Sequence, residues 1–147
     1  KEETYRALVR EKGMQPLPGV RELLAALRAR EIPCAIGSST ERANLDLPLD
    51  LMNLRDFFRV IVSGEDVVHG KPDPSIFLLA AEKLGFAPAE CVVIEDALVG
   101  IEAAQRAGMP VVAVATTNPL DTLGAANAAV PGLAEVTPEL LASLAEG

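Results

Sequence analysis

Two adjacent carboxylates, Glu95 and Asp96, close the apolar run Cys91-Val-Val-Ile94. Leaving a buried segment side by side, they repel one another and lose hydration, which is costly unless a cation lies between them. Mg²⁺ suits such a pair: it takes one or two carboxylates, keeps several waters and accepts phosphate oxygens. The pair alone reads equally well as an N-cap aspartate beside a solvated glutamate. Lys71 precedes Pro72, which biases its backbone away from helix. A lysine so held can act as a point charge on a phosphate, although standing alone it reads as a solvated loop residue. Ser38, Ser39 and Thr40 follow the run that ends at Ile36-Gly37. The hydroxyls of Ser38 and Ser39, with neighbouring N–H groups, suit a phosphate oxygen; the plainer reading is that one of the three residues caps the next helix. Thr116, Thr117 and Asn118 follow a further apolar run in the same way.

These groups need elements that bring them to one place. The runs Cys34-Ala-Ile36, Val60-Ile-Val62, Cys91-Val-Val-Ile94 and Val111-Val-Ala-Val114 are short and continuous rather than alternating, as in strands of a parallel sheet buried on both faces. Helical patterns separate them. Val20, Leu23, Leu24 and Leu27 repeat at helical spacing behind Pro18-Gly19. Asp73-Pro74 supplies an N-cap and first helical residue for a helix with Ile76, Phe77, Ala80 and Leu84 inward, stopped by Gly85. Ile101, Ala104 and Ala107 form another, ended by Gly108, and Pro138 opens a last one carrying Leu140, Leu141 and Leu144. The segment 43–54 reads helical, with Pro48 expected to kink or split it. Alternation of strand and helix predicts an α/β, doubly wound, Rossmann-like parallel sheet. Ligands of such sheets bind beyond the carboxyl ends of the strands, where the hydroxyls, the lysine and the two acids collect.

Composition narrows the chemistry. The chain has 147 residues, half of them apolar, and a net charge of −8. A single α/β core fits that length, and the acidic balance argues against a nucleic-acid partner. No apolar run approaches the roughly 20 residues of a membrane helix, and no charged-then-apolar leader opens the chain. Cys34 and Cys91 lie in apolar flanks and read as buried thiols of a reducing compartment, so a cytoplasmic location is expected. They lack CxxC spacing, which excludes a zinc site of that type. Gly64 to Lys71 fails as a P-loop, because five residues separate Gly64 from Gly70 and Pro72 replaces the Ser/Thr. His69 is the only histidine and no Gly-x-Ser-x-Gly surrounds Ser38, so a Ser-His-Asp hydrolase has little support. His69 reads as a solvated loop residue.

Taken in order, Ser38 after a strand, Gly-Lys-Pro-Asp-Pro-Ser-Ile-Phe at 70–77, and Val-Val-Ile-Glu-Asp-Ala-Leu-Val-Gly-Ile-Glu-Ala-Ala at 92–104 resemble the haloacid dehalogenase superfamily. The narrower likeness is to its β-phosphoglucomutase and sugar-phosphate phosphatase branch, over nearly everything from Pro16 onward. The resemblance implies that Ser38 binds the transferring phosphoryl group, that Lys71 holds nucleophile and phosphate, and that Glu95 and Asp96 are the acids of an Mg²⁺ site, Asp96 as a direct ligand and Glu95 contacting the ion through water or directly. It implies a small phosphorylated metabolite as substrate. Phosphoryl transfer would run through an aspartyl-phosphate, with water as final acceptor in a phosphatase and a sugar hydroxyl in a mutase.

One departure is large. The family's first strand, central in its sheet, ends in Asp-x-Asp, and no such strand precedes Ser38. Residues 1–15, with an amphipathic helix over Glu2 to Lys12, resemble the last helix of the family's helical cap. Pro16 to Gly19 resembles the return hinge, and 16–147 the α/β core without its central strand. The expectations that follow are a chain inactive by itself, and open sheet edges that pair with the missing N-terminal piece or with a second copy. A degenerate, non-catalytic module that only binds phosphate and metal is the rival reading. A receiver-like signalling domain fits poorly, because the acidic pair comes late and Val60-Ile-Val62 ends in Ser63.

Overall fold

The four apolar runs fold as parallel strands and a fifth joins them. β1 (Ala35–Gly37) pairs with β2 (Val60–Val62), Ala35 opposite Val60. β3 (Val93–Glu95) pairs with β4 (Val111–Val114), placing Glu95 opposite Ala113, and β4 pairs with β5 (Ala128–Val130). The computed structural model describes residues 19–146. Within them the strands form a two-stranded sheet, β1-β2, and a three-stranded sheet, β3-β4-β5. Among the described residues no strand pairs with the second edge of β1 or of β3.

Successive side chains of a strand face opposite sides, and here that alternation builds two cores. Ile36, Ile94, Val112 and Val114 pack with residues of α1 (Val20–Ala29), α2 (Arg42–Leu51) and α5 (Pro138–Glu146). Ala35, Val62, Val93, Val111 and Ala113 pack with α3 (Ser75–Leu84) and α4 (Leu98–Arg106). Each core draws on both sheets. Burial on both faces is why the strands read as unbroken apolar runs, and the doubly wound α/β arrangement is the one expected. β5 escapes that pattern: Ala128-Ala-Val130 is half-exposed at the edge and lacks the β-branched density that marks a central strand.

The helices follow their periodicity with local corrections. Val20, Leu23, Leu24 and Leu27 are the buried face of α1. The chain enters it through Gly19 at φ +89°, where a Cβ would meet the Ala134 nitrogen at 2.8 Å, so glycine is required there. α3 begins at Ser75, one residue later than expected, and Pro74 takes the N-cap position. Asp73 still serves as the cap, its carboxylate accepting the Ser75 N–H at 2.9 Å. Pro48 neither splits nor ends its helix: α2 runs unbroken from Arg42 to Leu51 with Pro48 inside. A helix-interior proline costs about 3 kcal/mol, but Leu45, Pro48 and Leu49 of α2 are all buried, which offsets it. Both cysteines are buried, and no described helix is long and apolar enough to cross a membrane. The expected cap helix over Glu2 to Lys12, and the connector from Pro16 as far as Pro18, lie outside the described residues.

Candidate active site

Lys71 is not a solvated loop lysine. Its side chain is 1% exposed and its ammonium donates to the carbonyl of Gly37, the last residue of β1, at 2.8 Å. The same ammonium pairs with Glu95 Oε2 at 3.2 Å and lies 4.7 Å from the centroid of the Phe77 ring. One side chain thus ties the end of β1 to the end of β3.

Glu95 is wholly buried. Burial pushes its carboxyl pKa up; the Lys71 charge pulls it down, and neighbouring Asp96 pushes it up again. Oε1 accepts the backbone N–H groups of Asp96 at 3.0 Å and Ala97 at 3.1 Å. This folded-back conformation depends on Gly100 in α4, where a Cβ would sit 1.9 Å from Glu95 Cδ. With both lone pairs of Oε1 used and Lys71 on Oε2, Glu95 keeps little capacity for another partner.

Asp96 has the opposite character. It too is wholly buried. Its Oδ2 accepts the Thr117 hydroxyl at 2.5 Å, and its backbone carbonyl accepts the Asn118 amide at 3.0 Å. Its Oδ1 is buried with no hydrogen-bond partner among the described residues, as is the hydroxyl oxygen of Thr116. An unpartnered buried carboxylate oxygen is what a hard cation would satisfy, and the all-oxygen donor set suits Mg²⁺. The residues therefore fit that metal through Asp96, although no group of three or more His, Cys, Asp or Glu side chains able to hold a metal occurs among the described residues. Sequence reasoning noted Thr117 and Asn118 only as strand-end residues. Their position just past β4, the parallel neighbour of β3, was the available signal.

Ser38 lies in the turn that leaves β1. It is wholly buried, and its hydroxyl accepts the Thr40 N–H at 3.1 Å while its own N–H donates to Val62. It belongs to neither apolar core but to the polar turn leaving β1. Ser39 is stapled as well, its Oγ accepting the Lys71 N–H at 3.3 Å. Neither Ser39 nor Thr40 caps α2: the helix starts at Arg42, too late for them, and Glu65 accepts the Arg42 N–H at 2.9 Å. Gly64 packs against this turn, a Cβ there falling 2.3 Å from the Ser39 carbonyl oxygen. His69 is exposed. The structure therefore brings Lys71, Glu95 and Asp96 together at adjoining strand ends and holds Ser38 and Ser39 beside them as buried or half-buried turn residues.

Known proteins are similar to this chain in sequence and in fold. The chain is 40% identical over 138 residues to the chloroplastic 5-amino-6-(5-phospho-D-ribitylamino)uracil phosphatase of Arabidopsis thaliana, a match over 93% of this chain and 36% of that protein. It is 40% identical over 125 residues to the β-phosphoglucomutase of Bacillus subtilis (strain 168), over 85% of this chain and 53% of the relative. The chain thus spans between about a third and a half of the length of these two curated relatives. A crystal structure of a HAD family hydrolase from Deinococcus radiodurans R1, with bound phosphate and sodium, superposes with a TM-score of 0.77 at 34% identity, over 91% of this chain and 62% of that one. The family model described as haloacid dehalogenase-like hydrolase matches residues 2–114, a span that contains the stapled serines, the buried lysine and both acids; the chain belongs to that family.

Proposed function

We propose that this chain supplies the phosphate- and cation-binding side of an Mg²⁺-dependent phosphoryl-transfer site for a small, sugar-type phosphomonoester. One observation carries the reading: a buried Lys71–Glu95 pair joins the ends of β1 and β3, and beside it Asp96 keeps a buried oxygen without a partner. The bound phosphate and sodium of the Deinococcus radiodurans relative support the same ligand classes here.

In this reading Asp96 Oδ1 holds the cation. Bound Mg²⁺ would neutralise negative charge on the phosphoryl oxygens. Lys71 adds a fixed positive charge whose place is set by the Gly37 carbonyl and Glu95, so little reorganisation is needed when phosphoryl charge arrives. Ser38 holds the turn in shape by accepting from Thr40, and its hydroxyl proton, which has no acceptor among the described residues, is left for a phosphoryl oxygen. Glu95 fixes Lys71 and the start of α4 more than it binds ligand.

The acceptor carboxylate belongs, in this proposal, to an Asp-x-Asp strand seated between β1 and β3, since the chain itself contains no Asp-x-Asp. The phosphoryl group passes to that aspartate and then to water, giving a phosphatase. A sugar hydroxyl as final acceptor, giving a mutase, is the second reading, favoured by the 40% identity with the Bacillus subtilis β-phosphoglucomutase. The test incubates the 147-residue chain with Mg²⁺ and sugar phosphates, following phosphate binding by calorimetry and release by a colorimetric assay. Binding without release is expected. Release by this chain alone overturns the externally supplied nucleophile, and absence of any binding overturns the site.

A further inference from the structure

We infer that Thr117 and Asn118 are positioning residues that fix Asp96 as a cation ligand, an inference that rests on the proposed site. The two sit in the turn just past β4. The parallel register sets Glu95 of β3 opposite Ala113 of β4, so the turn after β4 overhangs the residue after Glu95. Its side chains use that placement twice on one residue. Thr117 donates its hydroxyl to Asp96 Oδ2 at 2.5 Å, and Asn118 donates its amide to the Asp96 backbone carbonyl at 3.0 Å.

The consequence is physical. A carboxylate turning about its last bond exchanges its two oxygens. A hydroxyl committed to Oδ2 removes that equivalence and leaves Oδ1 as the oxygen to be filled from outside. The Asn118 bond anchors the backbone that carries the side chain. Asp96 Oδ1 then remains buried and unpartnered, a condition that costs free energy without a ligand. Two hydrogen bonds to one residue with one carboxylate oxygen left over is the pattern of a ligand held by outer partners, where losing a partner weakens metal affinity about 10–100-fold. Thr117 is itself exposed at the mouth of the site, so the device is reachable by substitution without opening a core.

The test uses Mn²⁺, a hard oxygen-seeking stand-in for Mg²⁺, titrated into the full 147-residue chain and read by electron paramagnetic resonance of the free ion. Thr117→Val and Asn118→Ala should each raise the Mn²⁺ Kd about 10–100-fold. Thr117→Ser, which keeps the hydroxyl, should retain the wild-type Kd. Metal-free Thr117→Ser should melt with wild type, while Thr117→Val and Asn118→Ala, each leaving an acceptor of buried Asp96 without its donor, should melt lower yet stay folded at the titration temperature. Wild-type binding abolished by Asp96→Asn but untouched by Thr117→Val and Asn118→Ala would overturn the inference and leave the site standing. Weakening in Thr117→Ser equal to that in Thr117→Val, or Thr117→Val and Asn118→Ala proteins already unfolded without metal at the titration temperature, would assign the two residues a merely structural role and overturn it too. Failure of the wild-type chain to bind Mn²⁺, or equal binding by Asp96→Asn, would remove the site itself.

Discussion

At the end of β1 the Oγ atoms of Ser38 and Ser39 accept backbone N–H groups and the Lys71 ammonium donates within the protein, whereas at the ends of β3 and β4 the Asp96 Oδ1 and Thr116 Oγ1 atoms are buried with no hydrogen-bond partner among the described residues. The first region is assembled to stand by itself: the turn after β1, the Gly64–Lys71 loop and the strand end are bonded to one another. The second gives up stability, at about 1–3 kcal/mol for each unsatisfied buried group, and a ligand would recover it. A site with this division keeps its shape when empty and still gains from being filled. Lys71 and Glu95 are the seam between the two regions, which makes them the place where the division breaks most visibly.

The largest effect is expected there. Glu95→Gln leaves a buried ammonium without its counter-charge, and Lys71→Met leaves a buried carboxylate; breaking such a pair from one side costs about 3–5 kcal/mol. Replacing both partners removes both charges from the interior. Urea denaturation should therefore find the Lys71→Met/Glu95→Gln double variant more stable than either single one. A double variant that loses the sum of the two single losses would mean that the charges act independently and that no seam exists.

A sharper and smaller effect concerns Gly100. Alanine is about 1 kcal/mol better than glycine inside a helix, yet the added Cβ would lie 1.9 Å from Glu95 Cδ and 2.2 Å from Glu95 Oε2, an overpacking worth about 1–3 kcal/mol. Gly100→Ala is therefore expected to destabilise the protein. The three atoms nearest to it all belong to the Glu95 side chain beyond Cβ. In a Glu95→Ala background the clash disappears and the same substitution should become neutral or stabilising by up to about 1 kcal/mol. Thermal melts of the four proteins in this cycle check the reversal of sign, and a constant cost in both backgrounds would separate Gly100 from the acid.

What the sequence discloses, and what it hides, follows the same physics. Strands covered on both faces must be apolar throughout, so β1 to β4 announce themselves, and ligand chemistry at their carboxyl ends points to Lys71, Glu95 and Asp96. β5 is built from Ala128-Ala-Val130 at a half-exposed edge, where nothing forces a distinctive composition. Pro48 sits inside a helix because tertiary burial outweighs a local penalty, and the N–H at the start of α2 is met by Glu65 from a loop 23 residues away. The hold of Thr117 on Asp96 likewise depends on the register of β3 against β4, which no spacing along the chain encodes. The burial of Ser38 arises in the same way, from loops closing over a turn whose surroundings no local pattern encodes.

Asp66 supplies the mildest probe, and it tests whether the two regions are separable. Its carboxylate accepts the Ser63 N–H at 2.8 Å and the Ser63 hydroxyl at 3.2 Å, closing the turn after β2 on the self-sufficient side. Those bonds, the backbone one foremost, hold its pKa below the usual 3.8. A carboxylate whose pKa falls on folding contributes stability that is complete above the unfolded value and disappears as pH drops through the folded one. Asp66→Asn should thus cost about 0.5–1 kcal/mol near neutral pH, the scale of an exposed capping interaction. The gap from wild type should begin to narrow as pH falls below about 3.8 and go on narrowing toward the lower folded value, because only the wild-type group titrates there. Urea melts between pH 7 and pH 3 would trace the convergence. Mn²⁺ affinity, set on the other side of the Lys71–Glu95 seam, should not move; a Kd altered by Asp66→Asn would show that the turn after β2 and the cation ligand are coupled, and that the site responds as one body rather than as a finished half and a waiting half.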